Sequence, residues 1–474
     1  MHALRALDAG QPLIDAELLK RYDRPGPRYT SYPAAPQFTT GFGVADLREH
    51  AARSNRQGGL RPLSLYVHVP FCFSPCFYCG CNRFITRDTA KGERYLEHLL
   101  HEIALTAPLF DREREVVQLH LGGGTPNFLS TDSLAWLIEG LGEAFTLSRA
   151  AARDYSIELD PRTTALEYAP ALARLGFNRV SLGVQDFDPD VQQAVNRTQS
   201  SEQTLDLIDA CRDSGFRSVN VDLIYGLPRQ TPAAFRRTLR MVMSARPDRL
   251  AVYGYAHLPG LFKAQRRIEP TALPSAAERL ELLRLAIEEL ALGGYRYIGM
   301  DHFALPDDEL VQAQEAGTLQ RNFMGYTTNA GCDLIGLGVS AISHIGASFS
   351  QNFRELKKWE RALALGELPL WRGLSLSEDD RLRAEVIGSL MCQGVIDMRA
   401  IEARYGIEFR AYFGAALARL EPQVADGLVV IEEGRIIVTA IGRLLLRNVA
   451  MCFDAYLHAP AGAQQAQPSF SRAV

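Results

Sequence analysis

Residues 65–81 read LYVHVPFCFSPCFYCGC, and two signals meet in them. The first half alternates apolar with polar side chains, the period of a β-strand. The second half holds four cysteines within ten residues: Cys72, Cys76, Cys79 and Cys81. A strand therefore runs directly into a thiol-rich loop. The C-x3-C-x2-C spacing puts three thiolates on one tight loop, close enough to hold three irons of a cubane iron–sulfur cluster. Cys81 follows Cys79 too closely to close a fourth corner easily. An iron without a protein thiolate is an open coordination position, which suits chemistry; a closed site suits electron transfer or structure. Two other readings stay open. Zinc also takes four cysteines, although zinc ribbons usually split them into two separated C-x-x-C pairs. Disulfides are disfavoured by only 8 cysteines in 474 residues and by the absence of a secretory signal. Cys211, Cys332, Cys392 and Cys452 stand singly and read as small buried residues.

Outward from this loop, residues 64–304 alternate strand-like with helix-like segments. Candidate strands cover 65–71, 116–121, 155–159, 179–184, 218–224, 249–255 and 295–300, with helix-period segments at 93–105, 131–145, 202–214 and 276–292. Such alternation implies parallel strands joined by right-handed crossovers. The expected fold class is therefore α/β, a partial (β/α) barrel whose chemistry sits at the C-terminal strand ends. Those ends are polar or glycine-rich: Cys72; GGGTP at 122–126; Glu158 and Asp160; Gln185; Asp222; and His257. The glycines let backbone approach a ligand closely, but their spacing fits neither a dinucleotide fingerprint nor a P-loop. A carboxylate at a strand end can take hydrogen bonds from ribose hydroxyls or an ammonium group. Asp222, flanked by apolar residues, needs a partner. Tyr66 and His68 share one strand face.

Residues 1–63 read as an arm, marked by PGPRYTSYP at 25–33; residues 64–357 form the barrel and its extension. Residues 358–458 read as a mostly helical, winged-helix-like domain with a hairpin at 428–431 and 435–439, and residues 459–474 as a loosely held tail. A net charge of −4 provides no basic field for nucleic acid or anionic membrane. No apolar run approaches the ~18 residues of a membrane span, and the first residues lack the apolar core of a signal peptide. The expectation is a cytoplasmic chain, with nothing demanding more than a monomer.

Taken together, YVHVPF (66–71), CGCN (79–82), GGGTP (122–126), GVQDF (183–187), DLIYGLP (222–228), GMDHF (299–303), GYTT (325–328), MCFD (451–454) and the arm motif resemble the radical S-adenosylmethionine enzymes. Within them, the resemblance narrows to the oxygen-independent coproporphyrinogen III oxidases and covers nearly the whole chain. It implies one 4Fe-4S cluster on Cys72, Cys76 and Cys79, and S-adenosylmethionine cleaved by one electron from an unidentified donor. The resulting 5′-deoxyadenosyl radical would take a hydrogen from a propionate β-carbon. Loss of one more electron and of CO2 leaves a vinyl group, and two such events convert coproporphyrinogen III to protoporphyrinogen IX in haem synthesis.

The resemblance also implies two S-adenosylmethionine molecules, the first touching Tyr66, Gly123, Glu158 and Ile342. The second would touch Tyr78, Gly124, Thr125, Gln185, Arg197, Asp222 and Ala256. Tyr66, Asp222 and the non-ligand Cys81 are the implied catalytic residues, and Arg28 is a candidate for a substrate carboxylate. Tyr78 stands where relatives commonly have Phe, and Ala450 where they often have Cys. Two rival functions are a haem-handling paralogue, which would generally lack Cys81 and the arm motif, and a nucleic-acid-modifying protein, prompted by the winged-helix-like region.

Overall fold

The computed structural model describes residues 16–56, 61–329, 331–458 and 470. Six strands carry the expected alternation: β1 (Leu63–Val69), β2 (Glu115–Gly123), β3 (Asp154–Leu159), β4 (Arg179–Gln185), β5 (Ser218–Tyr225) and β6 (Arg249–Gly254). They pair in chain order, each neighbour parallel to the last. Period-two alternation explains the two faces. Leu63, Leu65, Val67, Ile157, Leu182, Val219, Val221 and Leu250 are fully buried against the surrounding helices. The opposite face carries Gln118, His120, Ser156, Glu158, Ser181, Asn220, Asp222 and Tyr253, which line a polar cavity of about 160 Å³ inside the sheet's curve.

The edges differ from the sequence reading. The segment expected as a seventh strand, β7 (Arg296–Gly299), does not pair with β6. A short strand β8 (His302–Ala304) lies between them, antiparallel to both. Gly299 and Met300, both at positive φ, allow the tight reversal. The seventh parallel strand is instead β9 (Asp333–Leu337), which joins the other edge beside β1. Antiparallel strands β10 (Ile342–Ile345), β11 (Ser348–Asn352) and β12 (Leu370–Ser375) extend that edge. The sheet runs β7-β8-β6-β5-β4-β3-β2-β1-β9-β10-β11-β12 and stays open, so the barrel is partial.

Two ionic devices secure it, the first of them buried. Arg114 and Asp333 pair at 2.6 Å with side chains 0% and 2% exposed, and Asp333 also accepts from Gly346 N–H and Ser54. At the N-terminal strand ends, Glu309 draws together Arg179, Arg217 and Arg249. Such features at this face serve stability rather than chemistry.

The C-terminal region has three strands in the order Val395–Asp397, Arg435–Val438, Val429–Glu432, flanked by short helices. Its helices are short: Phe413 separates Phe409–Tyr412 from Gly414–Ala425, and Leu445 separates Ala440–Leu444 from Leu446–Met451. The arm completes this region's core. Tyr22, Tyr29 and Tyr32 bury with Leu390, Phe409 and Phe453. Tyr29 O–H donates to Asp454 (2.9 Å), and Asn448 donates to the Tyr22 carbonyl (2.7 Å). The tail expected at 459–474 lies outside the described residues apart from Phe470. No helix among the described residues is long and apolar enough to cross a membrane.

Candidate active site

The cysteine loop is pinned at both ends. Phe71–Cys72 pairs in parallel with Phe84–Ile85, so the chain leaves and re-enters at one place. Arg83 donates to the carbonyls of Cys79 (3.2 Å) and Cys76 (3.1 Å), crossing the loop's mouth. Asn196 donates to Pro75 O (2.7 Å), and Gln265 to Tyr78 O (2.9 Å). All four cysteines are free thiols.

Donors point at three of the sulfurs. Thr125 Oγ1 lies 3.4 Å from Cys72 Sγ, Arg162 and Arg197 each 3.5 Å from Cys76 Sγ, and the Cys81 N–H 3.4 Å from Cys79 Sγ. The Cys81 side chain and Arg83 hold the Cys79 thiol down at about 6, whereas burial pushes Cys72 up to about 11. Among the described residues, no three His, Cys, Asp or Glu side chains gather as one metal ion would need. A soft three-thiol donor set with hydrogen-bond donors aimed at its sulfurs suits an iron–sulfur cluster.

Beside the loop, the glycines that end β2 form a cradle. Gly123 has φ +115, and a Cβ there would lie 2.5 Å from the His68 ring. A Cβ on Gly124 would meet backbone atoms of Pro70 and Phe71 at 2.7–2.9 Å. Only glycine fits either position. The Gly123 N–H donates to Glu158 (3.2 Å), whose other oxygen lies 3.3 Å from His120 Nε2. His120 and Gly123 outweigh burial and keep the Glu158 carboxyl below its ordinary range. Tyr66 stacks on His120 with ring centroids 5.8 Å apart.

His68 is buried, and burial lowers its basicity, so it is neutral. Its Nε2 lies 2.9 Å from the Asn82 carbonyl, which only accepts, so that nitrogen carries the proton. Nδ1 then accepts from Tyr66 O–H at 2.9 Å. One chain of bonds thus ties Tyr66 to the far end of the cysteine loop.

Across the rim, Asp160 holds Arg162 (2.6 Å) and Arg197 (3.2 Å), and Arg197 also donates to the Gly183 carbonyl. Gln185 takes a positive φ of 69° at the end of β4. Asp222 accepts from Asn220 (2.9 Å) and Ser181 (3.1 Å), and burial pushes its carboxyl up to about 6, aided by Glu158. Cys81 is exposed at the loop's end. Ala256 follows β6 and accepts from Gln265 (3.1 Å). Ile342 opens β10 and packs its backbone over Gly336. His257 meets Tyr255 O–H at 2.9 Å.

Four participants were not singled out from sequence. His120 was legible, since Gln118 and His120 recur with period two in an otherwise apolar strand. Arg162 and Gln265 reach Cys76 and Tyr78 through long-range contacts that local pattern does not carry, and Arg83 turns back to carbonyls four and seven residues earlier without any periodic signal.

Residues 66–242 match the Radical SAM superfamily, and residues 376–445 the HemN C-terminal domain. A Pseudomonas aeruginosa protein named oxygen-independent coproporphyrinogen III oxidase is 51% identical, over 94% of this chain and 96% of its own length. The chain belongs to the oxygen-independent coproporphyrinogen III oxidase family. The Escherichia coli relative of the same name is 47% identical over 97% of this chain and 98% of its own. The solved structure titled coproporphyrinogen III oxidase (HemN) from Escherichia coli, a radical SAM enzyme, superimposes with TM-score 0.88 at 47% identity, covering 93% of this chain and 99% of that one. Family membership brings a 4Fe-4S cluster and S-adenosylmethionine.

Proposed function

We propose that this chain catalyses the oxygen-independent oxidative decarboxylation of two propionate side chains of coproporphyrinogen III to vinyl groups, giving protoporphyrinogen IX. Near-half identity along the full length to enzymes of that name carries the reading. It is supported by a chain that supplies both the cysteine loop and the arm.

Cys72, Cys76 and Cys79 are the proposed cluster ligands, leaving one iron for S-adenosylmethionine. Held there, these groups would supply the one-electron chemistry that removes a hydrogen from the propionate β-carbon. The protein's part is to bind, orient and exclude water. Arg162, Arg197 and Thr125 stabilise thiolate charge on Cys72 and Cys76. Gly123 presents backbone where no side chain intrudes, and Glu158 stays ionised to accept from an ammonium or hydroxyl. Tyr66, fixed by His68, offers an aromatic face beside Glu158.

Two S-adenosylmethionine molecules are part of this reading. The first would use Tyr66, Gly123, Glu158 and Ile342. The second would use Tyr78, Gly124, Thr125, Gln185, Arg197, Asp222 and Ala256. A monomer working with a one-electron donor and without nucleic acid completes it. The test is anaerobic incubation of reconstituted protein with coproporphyrinogen III, S-adenosylmethionine and a reductant. Protoporphyrinogen IX with methionine and 5′-deoxyadenosine is expected. Cofactor cleavage without any vinyl product refutes the substrate assignment.

A further inference from the structure

Cluster chemistry takes its electron from outside the chain, and that electron must enter near the cysteine loop. The surface around the loop has its own composition. Residues 72–87 and 253–268 contain five Lys or Arg and no Asp or Glu, in a chain of net charge −4. The two segments pack together. The Phe262 ring lies against Gly80, where a Cβ would meet it at 3.0 Å. Gln265 donates to the carbonyls of Tyr78 (2.9 Å) and Ala256 (3.1 Å). The Arg267 guanidinium sits 5.2 Å over the Phe77 ring.

Two uncovered apolar side chains adjoin the loop. Leu261, next to Phe262, is 58% exposed, and Ile85, paired in register with Cys72, is 43% exposed. Gly80 and Cys81 are exposed at the end of the loop. Along the chain, exposed cations follow both apolar groups: Lys263, Arg266 and Arg267 after Leu261, and Arg87 after Ile85. Among the described residues none of these four cations forms an ion pair. Arg266 donates to the Pro259 carbonyl (3.0 Å), which steadies its turn. Apolar groups among unpaired surface cations suit a protein partner of opposite charge. A small patch is enough, because electron-transfer encounters bury less than about 1,200 Å².

The geometry points to this face as the docking surface of the electron donor, an acidic protein that carries single electrons at low potential. Carboxylates on the carrier would meet Lys263, Arg266, Arg267 and Arg87, with its redox group turned to the cysteine loop. Such surface charges act mainly by steering the encounter and fixing its orientation. In the transfer the carrier is oxidised by one electron and the cluster is reduced by one, and no atom crosses. This rests on the proposed cluster on Cys72, Cys76 and Cys79, and adds the kind of partner that feeds it.

The test compares two reductants on reconstituted holoenzyme. Dithionite is small and needs no docking surface. Reduced flavodoxin, an acidic flavoprotein, is the probe that does. The double variant Lys263→Glu/Arg266→Glu reverses the charge, and Lys263→Arg/Arg266→Lys keeps it. Iron content and Tm establish that each variant is folded and loaded. Freeze-quench EPR follows cluster reduction without any substrate present. Charge reversal should slow reduction by flavodoxin about 10- to 100-fold at low salt, and high salt should narrow the gap. Dithionite should reduce all three proteins alike, and the charge-keeping variant should match wild type with flavodoxin. Reduction of the reversed variant by flavodoxin within about twofold of wild type overturns the docking site, as does a wild type that flavodoxin cannot reduce. A coproporphyrinogen KM raised about tenfold in dithionite-driven turnover also overturns it, by assigning these cations to the substrate's carboxylates. Failure of dithionite to reduce the wild type would instead remove the cluster reading, and the docking site with it.

Discussion

Gly123→Ala tests the cradle through two separable effects. The backbone there sits at φ +115, and an added Cβ would lie 2.5–2.9 Å from three atoms of the His68 ring. His68 cannot simply swing away, because one nitrogen is bonded to Asn82 O and the other to Tyr66 O–H. Backbone strain costs about 1–3 kcal/mol and forced overpacking about 1–3 kcal/mol more, together about 2–6 kcal/mol. Gly215→Ala isolates the first effect. It also has positive φ, +88, but a Cβ there meets nothing within 4 Å. It should lose only about 1–2 kcal/mol. Urea denaturation of anaerobic protein gives both numbers, and S-adenosylmethionine affinity is read in parallel. The Gly123 variant should be the less stable by at least about 1 kcal/mol and should bind the cofactor poorly, while Gly215→Ala binds normally. Equal stabilities, with cofactor binding intact in both, would refute the argument that His68 and Gly123 share one closely packed space.

Replacing Cys72, Cys76 or Cys79 by Ser should abolish iron incorporation, whereas Cys81→Ser should keep iron but impair turnover; iron loss in the Cys81 variant would reassign that residue as a ligand. Arg114→Met should cost about 3–5 kcal/mol by leaving Asp333 buried without its cation; a loss below about 1 kcal/mol in urea denaturation would show the site relaxes freely. Asp222 should make stability fall as pH rises. Its carboxyl is raised from 3.8 to about 6 in the fold, so the folded protein holds the proton more tightly and its advantage disappears as pH climbs through about 6. The full effect is on the order of 3 kcal/mol, and Asp222→Asn should flatten that dependence between pH 4 and 7, as denaturation across that range would reveal.

The parallel core was legible because it rests on local alternation. In β1 and β3, apolar residues at every second position face helices and polar ones face the cavity, so strand and inward set could both be read. The edges were not. Residues 295–300 have strand composition, but whether a strand joins β6 directly or through an intervening β8 depends on the Gly299–Met300 reversal. β9 has only five residues and sits among glycines, so it carries too little pattern to announce itself. The rim residues at strand ends were found by position. Arg197 was among the residues named from the sequence; Arg162 and Arg83, which brace Asp160 and the cysteine loop, were not, because an arginine at an isolated position carries no periodic signal of what its guanidinium will meet.

The arm has a consequence for biosynthesis. Tyr29 bonds to a carboxylate 425 residues further along the chain. At ~5–20 residues per second that partner emerges from the ribosome about 20 to 80 s later. Throughout that interval three apolar tyrosines have no native place to go. Docking of the arm therefore waits until Asp454 has been made, and a permutant that joins the arm directly to that module should reach the native state sooner and depend less on chaperones.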